Sequence, residues 1–155
     1  IERPKSGIQQ KNTPQENVKK SQRLLITWIT DEPEVYAKIQ RYITAEDFTE
    51  DLYRKVASRL FEDLSKGTYN PAAIISMFSD EEEQREAAAL FNTNLPQLNT
   101  KQEKEKAFHD IVYAVKKNSY EYFSGQLGAD VNALNKVISG KKALEELAKT
   151  HISLD

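Results

Sequence analysis

The stretch from Thr100 to about Leu127 constrains the fold more than any other. Thr100 followed three residues later by Glu103 is a helix-start signal. The hydroxyl accepts a bond from a free backbone N–H of the first turn, and the carboxylate reaches back to the cap. Phe108, Ile111, Val112, Val115, Tyr122 and Phe123 then recur at helical spacing and line one face. Tyr113, Tyr120 and Leu127 repeat every seventh residue on a different face. One helix with two apolar strips belongs to two packing units at once. The stretch is therefore expected to be a spine joining a compact bundle to a projecting hairpin.

Periodicity elsewhere gives helices to surround it. Phe48, Leu52, Tyr53, Val56, Ala57, Leu60, Phe61 and Leu64 are spaced for the central helix of a core, ended by Gly67 in the place of a left-handed cap. A first helix is expected from about Val18 to Thr30, carrying Leu24, Leu25, Trp28 and Ile29. It breaks at Asp31-Glu32-Pro33, because the residue before a proline is pushed out of the helical region. Pro33 then starts a short helix with Val35, Tyr36, Ile39 and Ile43 inward. Asn70-Pro71 starts another with Ile74, Ile75, Met77 and Phe78, and Ser79 is expected to cap one burying Ala87, Leu90 and Phe91. The loop 92–99 precedes the spine. A turn at Gly128-Ala129-Asp130 leads to a last helix, about Asp130 to His151. Val131, Leu134, Val137, Ile138, Leu144, Leu147 and Ile152 form its expected seam, with a kink or fray at Gly140.

No segment sustains two-residue alternation, so the expected class is all-α: about five helices in a bundle, then a long helix and a C-terminal helical hairpin. Residues 1–17 hold two prolines, one glycine and little to bury, and read as linker or disordered tail. Residues 18–117 form the expected bundle and 118–155 the hairpin, with the spine at about 100–127 shared. Ile1 is no initiator methionine, and the chain reads as a piece of a longer protein.

Chemistry is hard to find in this chain. It has no cysteine, which removes thiolate metal sites and cysteine nucleophiles. His109 and His151 lie on different helices, and His109 beside Asp110 is not expected to form a dyad, since neighbours on a helix point about 100° apart. The acidic run Asp80 to Glu83 suits the positive end of a helix dipole better than a magnesium site. No glycine-rich phosphate loop occurs. No catalytic residue, cofactor or metal is therefore expected. A net charge of −2 and a pI near 5.8 argue against a dedicated nucleic-acid binder. From Thr100 onward nine lysines face eight acids, too small an excess for a phosphate footprint. No apolar run approaches the roughly 20 residues that span a bilayer. The cysteine-free composition fits the cytoplasm.

What remains is apolar surface that two antiparallel helices cannot hide. Tyr120, Tyr122, Leu127, Leu134, Ile138 and Leu147 are the candidate docking residues, a set mixing seam with surface.

The order of features carries a resemblance. The blocks SQRLLITWITDEPEVYAKIQRYI, FTEDLYRKVASRLFEDLSKG and NPAAIISMF, then a long helix and a hairpin, resemble the C-terminal helicase-binding domain of bacterial primase. Leu24, Leu25, Trp28, Leu52, Tyr53, Leu60 and Phe61 occupy the places of that family's apolar pattern, and the similarity runs from about Val18 to Leu154. The resemblance implies a non-catalytic module that docks on the N-terminal domains of the hexameric replicative helicase. The hairpin would supply the attachment, and the bundle would modulate the helicase. Primer synthesis and zinc-dependent template recognition would belong to upstream domains of the parent primase. The N-terminal domain of the helicase itself, similar in fold, is the nearest alternative. A magnesium-dependent enzyme at Asp80 to Glu83 and a bundle binding single-stranded DNA are the others.

Overall fold

The computed structural model describes residues 13–93 and 95–155. Seven α-helices account for it, joined by short 3₁₀ turns, and no strand occurs among the described residues. The fold is all-α.

Helix α1, Pro14–Asp31, starts earlier than the apolar pattern suggests. Thr13 caps it, its hydroxyl accepting from the Glu16 N–H at 3.1 Å, and Pro14 sits where its missing N–H has no partner to lose. Residues 14–17 are thus helical rather than linker, and residues 1–12 lie outside the described residues. A 3₁₀ turn at Pro33–Val35 leads into α2, Tyr36–Ile39, and a second turn at Ala45–Asp47 precedes α3, Asp51–Ser65. Phe48, Tyr53, Val56, Ala57, Leu60 and Phe61 are buried as their spacing requires, and Gly67, at φ 76°, follows the end of α3. Gln22 of α1 joins this layer with both ends of its amide. It donates to Thr49 Oγ1 at 2.8 Å and accepts from the Glu50 N–H at 3.2 Å.

Helix α4, Pro71–Ser76, buries Ile74 and is followed by buried Phe78, while Met77 is exposed. Helix α5, Glu81–Asn92, is capped by Asp80 rather than Ser79, the carboxylate accepting from the Glu83 N–H at 3.2 Å. Asp80 is the better acceptor for the positive end of the dipole.

Helix α6, Lys101–Ser124, is unbroken for 24 residues and is capped by Gly125. The Thr100 hydroxyl accepts from the Glu103 N–H at 3.1 Å. Phe108, Val112, Val115 and Phe123 are buried, but Tyr122 points away from them. Helix α7, Ala133–Lys149, begins after a turn at 125–132 and passes straight through Gly140. It runs antiparallel to α6: Lys136 lies over the Phe123 ring, Gly140 over Tyr120, and Leu147 beside His109. The pair does not stand off as a projection. Ala143, Leu147 and Ile152 belong to the same buried cluster as Leu25, Trp28, Leu60 and Phe108.

Candidate docking surface

Helix α7 has two apolar faces. Ala133, Gly140, Ala143 and Leu147 turn toward α6 and the core. Val131, in the turn just before the helix, and Leu134 and Ile138 within it fall nearly opposite at 100° per residue, on a stripe of three-and-four spacing. These larger side chains remain exposed, at 94%, 58% and 60%, with Leu127 at 51% in the preceding turn and Tyr122 at 48% near the end of α6. A helix normally buries its large apolar residues and exposes its small ones. The first half of α7 does the reverse. Four of the seven large apolar side chains left exposed among the described residues fall between Leu127 and Ile138, so the exposure is concentrated in this corner.

Close approach of the helices explains which side faces in. A Cβ built on Gly140 would stand 3.3 Å from Tyr120 Cδ1, so the tyrosine ring rests on the bare glycine backbone. Small residues let α7 lie flat against α6; of the expected seam, Leu147 and Ile152 are buried and Val137 and Leu144 half-buried, while Val131, Leu134 and Ile138 are displaced outward. A sequence signal for this existed: Ala133, Gly140 and Leu147 are seven apart.

The candidate residues therefore divide. Leu147 is fully buried and is a core residue, not a surface one. Tyr120 is half-buried against Gly140, in the seam. Leu127, Leu134 and Ile138 are exposed and are joined by Val131. Tyr122 is exposed too, but lines a separate open cleft with Thr13, Glu16, Lys19 and Thr49.

Both histidines hold the C-terminal segment against α6. His109 Nε2 lies 2.7 Å from the Leu147 carbonyl, which can only accept, so this nitrogen carries the proton. Its ring stacks on Tyr113. His151 Nε2 lies 2.9 Å from Glu105 Oε1, and Glu105 Oε2 accepts from the Leu154 N–H at 2.7 Å. The Leu154 N–H, with His151 and Lys101 nearby, holds the Glu105 carboxyl below the usual glutamate range. Among the described residues no group of three potential ligands converges on a metal position.

The least expected feature is a buried polar cluster at the foot of this corner. Asp47, Lys116 and Ser119 are all buried. Lys116 Nζ lies 3.2 and 3.1 Å from the two Asp47 oxygens, Ser119 Oγ donates to Oδ1 at 2.6 Å, and the Thr44 N–H donates to Oδ2 at 2.8 Å. Lys116 lies four residues after Val112 and seven before Phe123, on the buried face. Thr44-Ala-Glu-Asp47 is itself a capping box, the signal that places the carboxylate.

In comparisons with known protein families, curated proteins and solved structures, nothing matches this chain. No helix among the described residues is long and apolar enough to cross a membrane.

Proposed function

We propose that this chain is a non-catalytic docking module of a bacterial primase, which binds the N-terminal domains of the hexameric replicative helicase in the cytoplasm. The observation that carries the reading is the outward apolar stripe of Leu134 and Ile138 on α7, extended by Val131 of the preceding turn, opposite a seam that includes Ala133, Gly140 and Ala143. An exposed apolar stripe on one helical face suits another helix or a groove between helices. The ordered apolar pattern from Val18 to Leu154, which resembles that of primase helicase-binding domains, supports this choice of partner. The physical benefit is effective concentration. Tethering primer synthesis to the moving helicase raises its local concentration at the fork without tighter binding to DNA. The domain itself needs no cofactor and no strong contact with nucleic acid for this role.

Substitution tests it directly. Leu134→Glu with Ile138→Glu places charge on the exposed stripe while leaving Ala143, Leu147 and the core untouched. Affinity for the cognate helicase N-terminal domain, measured by calorimetry, should fall by about a hundred-fold or more, with circular dichroism unchanged. Undiminished affinity in a folded double variant refutes the assignment.

A further inference from the structure

If docking occurs at the α6–α7 corner, something must fix that corner relative to the bundle, and apolar packing does so only in part. Along α6 the packing on α1 includes Phe108 against Trp28, and Val112 and Val115 are buried in the same apolar cluster. The next two buried positions, Lys116 and Ser119, are polar and both converge on Asp47 of the 3₁₀ turn, before apolar burial resumes at Phe123. The same short connection reaches α7 as well. Glu46 pairs with Lys136 at 2.7 Å, and Arg41 pairs with Glu146 at 2.8 Å. The two outer pairs are exposed on at least one side and contribute little alone. The inner cluster differs, because a buried carboxylate must keep every donor in place. Apolar surfaces tolerate sliding; a saturated carboxylate accepts one rotation and one separation of the elements that feed it. Buried ion pairs are better attested as setters of register than as sources of stability.

We infer that Asp47, Lys116 and Ser119 are positioning residues for the docking face. They hold the end of α6 at one orientation against the bundle and so set where Leu127, Val131, Leu134 and Ile138 are presented. This assignment rests on the docking reading above, and makes the 41–47 connection the place where partner binding is felt by the bundle.

The test uses the whole chain carrying Asp47→Asn with Lys116→Met, which keeps side-chain volume and leaves no unpaired buried charge. Hydrogen exchange is followed at the amides of residues 123–138, with those of α3 as the internal reference. The 123–138 amides should exchange about ten-fold faster while α3 is unchanged, because only local opening is eased. Affinity for the helicase domain should fall by about ten-fold. Ser119→Ala, which removes one donor and no charge, should move both readouts in the same direction to a smaller extent. It covers the case in which the double variant does not fold. Unchanged exchange at 123–138, an equal rise in α3, or faster exchange with undiminished affinity each overturns the positioning role. The docking reading fails separately, through Leu134→Glu/Ile138→Glu in a chain whose Asp47 cluster is intact.

Discussion

Gly140 is where a single side chain decides the geometry of the C-terminal pair. The helix passes through it unbroken, although glycine inside a helix costs about 1 kcal/mol against alanine. The contact explains its place: an added Cβ meets Tyr120 Cδ1 at 3.3 Å and Tyr120 Cβ at 3.6 Å. Alanine there gains helix propensity and asks the tyrosine ring to shift by a few tenths of an ångström, so Gly140→Ala should change stability by less than about 1 kcal/mol. Leucine cannot be placed without moving α7 off α6. Gly140→Leu should destabilise by about 1–3 kcal/mol in urea unfolding, and should bring the Tyr120 ring into solvent. A leucine variant as stable as the parent would mean that the two helices do not approach as closely as described.

At the scale of elements, the C-terminal segment after α7 is held by charge as much as by apolar contact. Ile152 is buried, while Glu105 of α6 accepts the Leu154 N–H and pairs with His151, and Lys101 pairs with Asp155. The Glu105 carboxyl is lowered by the Leu154 N–H first, then by the nearby His151 and Lys101 charges; Asp155 is lowered by Lys101. A carboxyl titrating lower in the folded chain than in the unfolded one stabilises fully above its unfolded value, about 4.3 for glutamate, and loses that contribution as pH falls through the folded value. The Leu154 amide resonance should therefore be constant down to about pH 5 and move below it, while α3 amides stay in place. Glu105→Gln should abolish that titration. None of this clamp was legible in the sequence, because a glutamate on a lysine-rich helix reads as solvated. The helices themselves were legible. Thr100, Asn70 and Gly67 mark their limits by local chemistry that needs no tertiary partner. The orientation of α7 was not legible, since Val131, Leu134 and Ile138 offer larger apolar side chains and how closely Gly140 lets the helices approach depends on the Tyr120 ring that meets it in the fold. Thr13-Pro14-Gln15-Glu16 was a readable helix start, hidden by a proline-rich neighbourhood.

For the molecule as a whole, the question is whether the last helix is an arm or part of the core. Trp28 of α1 packs on Phe108 of α6 with ring centroids 5.1 Å apart, and Leu147 of α7 is fully buried in the same cluster. Removing α7 would expose that cluster, so a chain truncated after Gly125 loses core as well as the exposed apolar stripe, and a loss of binding in it would not separate the two. A point change is more informative. Leu147→Ala should destabilise by about 2–5 kcal/mol, the range for emptying a fully buried leucine site. The loss should appear as one cooperative transition, with Trp28 fluorescence and far-ultraviolet circular dichroism falling at the same lowered midpoint. An independent arm behaves otherwise. It would leave the Trp28 transition where it was and lose only a fraction of the helical signal earlier. Coincident midpoints would place α7 in the bundle's folding unit, with Leu134 and Ile138 outside the apolar core that unit shares.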